Sequence, residues 1–429
     1  MGKECVKCSV AGATSAAAKD EYAKKILAEL EKIDVGKLTS DMVKIPSYSF
    51  MEEQEKEISE YISAYFTAEG IENEITQIEP GRYNVVAKLP GKNSQHAKSL
   101  QFNGHMDTVP PYDFEDAFSG RIADGKVYGR GSIDMKGPIA AIMAAMTAIK
   151  RAGIELDGDL YFTGVADEEE QGKGAKYISK YGPFTDGAVV CEGSNMVVQL
   201  GNKGLEWIEV IIEGKKTHAG ASEKGVNAIQ MAARFVDYVY DKYTPVLKSR
   251  RHPILGDPTI NIGTINGGDQ PSTVAGECRI KLDRRCVPGE TIEQVYSELE
   301  DIIKELHEED PRFNATIRDV FEGVNDVPHM PFATEPDDLI VKCAKNGLAL
   351  EKYYRHNEIM DASSAPQGVC MAWTDAGFIA NNTDAKCIIF GPGLIEVAHS
   401  VREYIDIEEM ERAAFVYAMM AGEYCSSSK

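Results

Sequence analysis

Histidines and acids recur in this sequence directly after short apolar runs, where α/β folds place catalytic and metal-binding side chains. In the first such segment, Phe102-Asn-Gly-His-Met-Asp, His105 and Asp107 stand two residues apart. Residues i and i+2 of an extended chain share a face, so Asp107 is expected to reach the second ring nitrogen of a metal-binding His105. The alternative interpretation is a solvated loop histidine beside an acid in a turn.

Two further segments place acids among glycines or among other acids. Asp134 stands between Gly131 and Gly137, ahead of an Ala- and Met-rich run. It either caps the helix that follows or ends a strand at the site edge of an α/β sheet, and both can hold together. Asp167–Glu170 sets four carboxylates side by side after an apolar strand. Such a run repels itself unless a cation neutralises part of it, although an acidic solvated loop is the usual case.

The last two segments complete the inventory of a metal centre. Glu192 ends the apolar run Ala188–Cys191, and His399 follows the turn Gly391-Pro-Gly393. Together the five segments supply His, Asp, Glu, Glu and His, the nitrogen and oxygen ligands that two zinc ions sharing one carboxylate need. Cysteines are not clustered among them, which argues against a structural zinc site.

The elements that must position these residues follow from hydrophobic periodicity. Helices are predicted over Asp20–Ile33, Glu52–Glu69, Met135–Ala152, Val226–Tyr243, Thr291–Glu308 and Ile407–Glu423. Strands are predicted over Asn84–Leu89, Ser99–Asn103, Asp159–Ala166, Ala188–Cys191, Leu205–Glu213, Thr259–Ile265, Glu277–Asp283 and Asn314–Val320. Strands that alternate with helices predict an α/β fold with a largely parallel central sheet.

The pattern changes in the middle of the chain, where two helices and about four strands form a self-contained α+β set. We therefore predict a catalytic domain over residues 19–205 and 321–429, with a second domain, 206–320, inserted into it. Residues 1–18 are predicted to be a flexible leader. Cys5 and Cys8 in the leader form a lone C-x-x-C, either part of a disordered tail or a redox or metal motif.

Composition narrows the possible partners and the compartment. Lys and Arg number 46 against 68 Asp and Glu, a net charge of −22, which repels phosphate backbones and anionic lipid. We expect no nucleic-acid or membrane partner. The N-terminus lacks the apolar core of a secretory signal, and nine scattered cysteines are typical of a reducing compartment. A cytoplasmic location is expected.

The order of the motifs resembles a known family. GHMDTVP at 104–110, GRGSIDMKG at 129–137, the DEE run, a lone Glu and a late His resemble the co-catalytic zinc amidohydrolases and peptidases. That family includes acetylornithine deacetylase, succinyl-diaminopimelate desuccinylase, aminoacylase and the glutamate carboxypeptidases. The resemblance covers nearly the whole chain after the leader. It implies a zinc-peptidase-like catalytic domain, an inserted dimerisation or lid domain, and a homodimer.

The resemblance also implies the ligand set. Asp134 would be the bridging carboxylate between two Zn²⁺ ions, for which Co²⁺ or Mn²⁺ could substitute. His105 and Glu192 would complete one metal position, and Glu169 and His399 the other.

Catalytic roles follow in the same way. By the resemblance, Glu168 would be the general base, Asp107 would orient His105, and His218 would reach across a dimer to polarise the scissile carbonyl. The alternative for His218 is a surface loop histidine. The extra acid Glu170 leaves the register of the acidic run open by one residue.

Substrate recognition is less determined. Arg284 or Arg285 and the backbone of Gly391 and Gly393 are candidates to bind a substrate carboxylate, although the arginines could instead pair with acids on a sheet surface. Ser272 stands where the family often has Asn, a position near the substrate in that family.

The predicted function is hydrolysis of the amide of an N-acyl amino acid, by attack of a metal-bridged hydroxide with Glu168 as general acid and base. A dipeptidase or carboxypeptidase is the nearest alternative. A non-catalytic metal-binding protein is the alternative of a different class, and the presence of Glu168 argues against it.

Overall fold

The computed structural model of the chain describes residues 16–320 and 329–429. Its helices are α1 (Ala16–Leu30), α2 (Val35–Val43), α3 (Lys56–Ala68), α4 (Gly137–Arg151), α5 (Lys173–Tyr181), α6 (Ala228–Tyr238), α7 (Thr244–Lys248), α8 (Ile292–Glu309), α9 (Leu339–His356), α10 (Ala376–Asn382) and α11 (Ile407–Tyr424). Its strands are β1 (Glu72–Glu79), β2 (Arg82–Leu89), β3 (Leu100–His105), β4 (Arg121–Ala123), β5 (Lys126–Tyr128), β6 (Leu160–Val165), β7 (Gly187–Val190), β8 (Val198–Asn202), β9 (Glu206–Glu213), β10 (Thr259–Gly267), β11 (Glu277–Arg285), β12 (Asn314–Asp319), β13 (Phe332–Ala333), β14 (Gln367–Cys370), β15 (Lys386–Ile389) and β16 (Tyr404–Asp406).

The chain divides into two compact units. The first comprises the described residues up to Gln199 together with Glu335–Gly368 and Asn382–Lys429, and the second comprises Leu200–Thr334 and Val369–Asn381. The predicted inserted domain, 206–320, falls within the second unit, and its role in dimerisation stays a prediction. Most of the predicted leader, with Cys5 and Cys8, lies outside the described residues, as does the predicted domain boundary near 321.

A largely parallel sheet forms the centre of the first unit and confirms the predicted α/β class. Its strands run in the order β1-β2-β6-β3-β7-β15. Strands β6, β3, β7 and β15 are parallel neighbours, whereas β2 runs antiparallel to both β1 and β6. Every residue of β3 and of β7 is buried, because the inner strands of a parallel sheet are covered on both faces.

Helix α4 supports this sheet and is buried from Gly137 to Ile149. The segment Ser132–Arg151, which consists of α4 and the turn before it, is long and apolar enough to cross a membrane by length and composition alone. Its most apolar part is entirely buried inside the protein, as in the core helix of a folded domain.

The second unit is built on an antiparallel sheet of four strands, in the order β10-β11-β9-β12. Side chains of β9 and β11, including Val210 and Ile280, share one hydrophobic core with Met231 of α6 and Leu299 of α8. The predicted arrangement, helices against an antiparallel sheet, is therefore present in this unit. The helix predicted over Val226–Tyr243 ends earlier as an α-helix and continues through a wider turn into α7.

Candidate metal centre

Three neighbouring parallel strands bring the first site residues together. His105 is the last residue of β3, the acidic turn at 167–170 follows β6, and Glu192 follows β7. Because β6, β3 and β7 are adjacent and parallel, their carboxyl ends meet at one edge of the sheet. The chain after β15 leads to His399. Sequence reasoning anticipated this convergence, since each acid or histidine followed an apolar run.

Asp134 lies in a bent segment, Ser132–Lys136, that precedes α4. Lys136 occupies the N-cap position of that helix, without a side-chain capping bond, so the interpretation of Asp134 as the helix cap is wrong. The Asp134 carboxylate instead extends to two histidines. Its Oδ1 lies 2.9 Å from His105 Nε2, and its Oδ2 lies 3.0 Å from His399 Nε2.

Two groups of candidate ligands share Asp134. The first contains His105, Asp134 and Glu192, and the second contains Asp134, Glu169 and His399. Within each group the ligand atoms lie within 4.8 Å of one another. The remaining contacts are His105 Nε2 to Glu192 Oε1 at 3.4 Å and His399 Nε2 to Glu169 Oε2 at 3.1 Å. Because each Asp134 oxygen contacts a different histidine, the carboxylate has the placement that a bridging ligand requires.

The donor set fits a pair of divalent cations. Zinc binds imidazole nitrogen and carboxylate oxygen at about 2.0–2.2 Å, so two tetrahedral ligands of one ion lie about 3.3 Å apart. The contacts between each histidine and its acids, 2.9–3.4 Å, agree with that spacing. Nitrogen and oxygen ligands without thiolate suit zinc, cobalt or manganese. The roles of these five residues as ligands stay a prediction.

The acids of the site are balanced by the two histidines. Hydrogen bonds to Asp134 and Glu169 raise the pKa of His399 to about 10. Burial lowers the pKa of His105, but the charge of Glu192 and hydrogen bonds to acids outweigh burial and hold the pKa well above its usual value. Burial and the charge of Asp134 raise the pKa of Glu169. Burial acts to raise the pKa of Asp134, but hydrogen bonds from both histidines keep it below its usual value.

The two halves of the site differ in access. The His105 side chain is 1% exposed, whereas that of His399 is 51% exposed. His399 also has a positive φ of 59°, a backbone conformation that few non-glycine residues adopt and that is held by the surrounding structure. The His399 half of the site is therefore the more accessible to solvent.

Asp107 is hydrogen-bonded both to His105 and to the acidic turn. The nearest acceptor for Nδ1 of His105 is the backbone carbonyl of Asp107 at 3.0 Å, and the carboxylate is farther away at 3.6 Å, which corrects the predicted carboxylate–imidazole bond. A carbonyl can only accept, so Nδ1 carries a proton and Nε2 is the ring atom available to a metal. The Asp107 carboxylate accepts the backbone N–H groups of Glu168 and Glu169, each at 3.1 Å.

The four acids of the run separate into different environments. Asp167 is buried and pairs with Arg82 at 2.7 Å. Glu169 faces His399, Glu168 is half-buried beside it, and Glu170 is exposed. This separation favours Glu169 as the ligand and Glu168 as the neighbouring base.

An ion pair that the sequence did not reveal joins the segments around the site. Arg130 and Glu403 form a buried ion pair. The second carboxylate oxygen of Glu403 accepts the backbone N–H of Ile133 at 3.3 Å, next to Asp134. Arg130 also donates to the Pro110 carbonyl. The pair thus ties the chain after His105 to the segments that carry Asp134 and His399.

The glycines of the turn before His399 do not have the predicted role. Gly391 N–H donates to Ser194 Oγ at 3.0 Å, and Gly393 N–H donates to Glu409 Oε2 at 2.7 Å, so both amides are already engaged. These contacts give no support to the prediction that the two amides bind a substrate carboxylate, which stays a prediction. A Cβ at Gly391 would lie 2.5 Å from the Glu192 carbonyl, so this glycine is required for close packing behind Glu192.

Both candidate arginines have acidic partners within the second unit. Arg284 is fully buried and pairs with Glu290. Arg285 pairs with Asp283 at 2.8 Å. These contacts match the alternative of arginines paired with acids, and a role in substrate binding stays a prediction without support from them.

The second unit brings His218 and Ser272 together. The Ala219 N–H donates to the Ser272 carbonyl at 2.9 Å, and His218 forms a strand bridge with Thr273. The Gly220 N–H donates to Nδ1 of His218 at 3.0 Å, which leaves Nε2–H as the donor of a neutral ring. His218 is exposed, so that donor is open to a ligand.

Comparison with known proteins decides the family. The model of peptidase family M20/M25/M40 matches residues 101–423. This chain belongs to that family. Its resemblance to the zinc amidohydrolases, inferred from the motifs, is thereby confirmed, and the chain is a hydrolase of a family that acts on amide or peptide bonds.

Relatives and solved structures agree with this assignment. The chain is 30% identical over 393 residues to the N-formyl-4-amino-5-aminomethyl-2-methylpyrimidine deformylase of Bacillus subtilis, covering 87% of this chain and 90% of that protein. It is 32% identical over 352 residues to the acetylornithine deacetylase of Myxococcus xanthus, covering 80% of this chain and 84% of that protein. The aminopeptidase PepT from Bacillus cereus has the same fold, with a TM-score of 0.71 and 21% sequence identity. The match covers 94% of this chain and 98% of that protein.

Proposed function

We propose that this M20 hydrolase is a metal-dependent deacylase that cleaves the amide of a small N-acyl compound, with an N-acyl amino acid as the leading substrate. One observation carries the proposal: two groups of nitrogen and oxygen ligands share Asp134, directly beside the turn that presents Glu168. Two such groups are the arrangement that a pair of hydrolytic cations requires.

The chemistry divides between the cations and the chain. A bound pair of divalent cations, zinc by preference, would be held by His105, Glu192, Glu169 and His399 around Asp134, and would polarise the amide carbonyl and acidify water. Glu168 takes the proton from the attacking water and delivers it to the departing amine. Asp107 holds the backbone of Glu168 and Glu169 by two hydrogen bonds, which limits how far the base can move.

His218 supplies a donor for the oxyanion in this proposal. Its exposed Nε2–H suits a carbonyl oxygen that gains negative charge during attack. His218 belongs to the second unit, and we propose that it serves the metal centre of the other subunit in a homodimer.

Sequence relatives favour deacylation over peptide cleavage. Two relatives at 30% identity or more are named for removal of a formyl or an acetyl group from nitrogen. The aminopeptidase, at 21% identity, shares the fold. Because the fold is shared with a peptidase, a dipeptidase or carboxypeptidase is the second candidate. For the location we propose the cytoplasm, since the seven cysteines among the described residues are free thiols.

A substrate panel with metal reconstitution tests the proposal. The protein is stripped with a chelator and reloaded with zinc, cobalt or manganese. It is then assayed on N-formyl, N-acetyl and N-succinyl amines and amino acids, on their methyl esters, and on dipeptides. The proposal expects metal-restored release of amine from the N-acyl compounds. Faster cleavage of dipeptides than of any N-acyl compound would favour the second candidate, and equal rates on acid and ester would remove the amino-acid preference.

A further inference from the structure

A largely buried arginine lies behind the acidic turn, at the first residue of β2. Nη2 of Arg82 lies 2.7 Å from Glu55 Oε1 and 2.7 Å from Asp167 Oδ1. The side chains of Glu55 and Asp167 are 0% and 1% exposed, and that of Arg82 is 13% exposed. One guanidinium therefore contacts two buried carboxyl groups, and removing it would take away the cation that they share in a medium of low polarity.

Asp167 is the first residue of the turn and adopts an unusual backbone conformation. Its φ is 70°, in the left-handed region that non-glycine residues rarely adopt. Its carbonyl accepts the N–H groups of Gln171 at 3.1 Å and Gly172 at 2.6 Å, which closes the turn around Glu168 and Glu169. Such a conformation persists when its surroundings hold it, and the Arg82 ion pair is a buried contact that does so.

The same strand holds both flanks of the turn. Asn84 Oδ1 accepts the Ala166 N–H, and its Nδ2 donates to the Gly174 carbonyl, each at 3.0 Å. Residues two apart in a strand share a face, so Arg82 and Asn84 contact the turn from one side. The turn is thus held by side chains of β2 and by the carboxylate of Asp107, which accepts two of the turn's backbone N–H groups.

We propose that Arg82 is a positioning residue that acts through Asp167 to fix the turn presenting Glu168 and Glu169 to the candidate metal centre. The roles of Glu168 and Glu169 rest on the proposed function. The claim that Arg82 fixes the turn stands on the contacts alone and is tested separately from activity.

Amide hydrogen exchange of the peptide spanning 166–174, in the full-length protein as purified, reads the turn directly. Arg82→Met should speed exchange on the order of tenfold, because loss of a charge-assisted pair loosens the local hydrogen bonds. The matched control is Arg412→Met, which removes an arginine from the buried Glu351 and should leave this peptide at the wild-type rate. Arg82→Lys should fall between, since lysine keeps the positive charge but cannot also replace the hydrogen bond from Nη1 to Gln54 Oε1.

Activity gives an independent readout. If the proposed function holds, Arg82→Met should lower kcat about 10–100-fold with little change in KM, while Arg412→Met changes neither. If Arg82→Met does not fold, Asp167→Asn takes its place in the exchange measurement. Wild-type exchange of the peptide in the folded variant would overturn the proposal. Faster exchange in a protein whose wild type cleaves no amide would sustain the positioning role and reject the proposed function.

Discussion

One carboxylate oxygen of Asp107 accepts the backbone N–H of Glu168 at 3.1 Å. The other oxygen accepts the next N–H along the chain, that of Glu169, at the same distance. The loop after β3 therefore fixes the backbone of the residue predicted to be the base and of the residue predicted to be a ligand. Asp107 also accepts a hydrogen bond from His105 through its backbone carbonyl. One residue is therefore hydrogen-bonded to His105, Glu168 and Glu169.

Asp107→Asn tests this coupling. An amide offers one acceptor oxygen in place of two, so one of the two turn N–H groups loses its partner. We expect kcat to fall about 10–100-fold, the usual effect of losing a group that orients metal ligands. Steady-state kinetics with metal analysis of the same samples checks this. An Asp107→Asn enzyme with wild-type kcat would show that the two hydrogen bonds do not matter for turnover.

The assignment of base and ligand in the acidic turn is tested by a pair of conservative variants. Glu168→Gln should keep metal and lose about 10²–10⁴-fold in kcat, since a general acid–base group is removed. Glu169→Gln should lose metal, because its carboxylate faces His399. Metal content by mass spectrometry separates the two. The reverse result, metal lost from Glu168→Gln alone, would shift the register by one residue.

Local sequence patterns pointed to His105, Glu169 and Glu192 because each stands at the end of a strand or shortly after one. β7 is apolar at every position and β3 is buried throughout, so Glu192 and His105 were noticeable as an acid and a histidine at the ends of core strands. The parallel order of β6, β3 and β7 then brought these ends to one edge. The sequence therefore predicted candidate ligands that the structure brings close together.

Other elements gave no such signal. Helix α2 is short and buries the polar residues Thr39 and Ser40 beside its apolar ones, so its apolar periodicity is interrupted. Strand β1 has no fully buried residue and lacks an apolar alternation. Arg82 and Glu55 lie far apart in sequence from Asp167, and no local pattern records an ion pair between distant segments. The partners of the Gly391 and Gly393 amides, Ser194 and Glu409, were not foreseen for the same reason, since they are set by tertiary contacts.

Hybrid dimers test the role proposed for His218. His218→Ala and Glu168→Ala should each be inactive alone. If His218 acts in the other subunit, random subunit exchange makes half of the dimers hybrids with one complete site, and activity returns to about a quarter of wild type. Mixing His218→Ala with the double variant is the control and should give no rescue. Absence of rescue after proven exchange would contradict action between subunits.

The stability of the second unit should depend on pH through Glu206. Burial, and then the charge of Asp319, raise the pKa of Glu206 to about 7, above the unfolded value of about 4.3. Its protonated form is thus favoured in the folded state, so its contribution to stability is full below about pH 4 and is lost as pH rises through 7. At pH 8.5, Glu206→Gln should be more stable than wild type by about 1–3 kcal/mol.

Urea unfolding of wild type and variant at pH 4.5 and 8.5 measures this difference. Glu213→Gln, at the exposed end of the same strand, is the control and should show no gain that depends on pH. A Glu206→Gln gain of the same size at both pH values would point to a packing effect and reject the titration.

The central claim is that five residues form two metal positions around Asp134, and anomalous diffraction from zinc-loaded crystals at the zinc edge tests it most directly. We predict two anomalous peaks joined by the Asp134 carboxylate, at the separation of about 3.5–4 Å typical of two-metal hydrolases. One peak should be bound by His105 and Glu192 and the other by Glu169 and His399. A single peak, or peaks away from Asp134, would contradict the account.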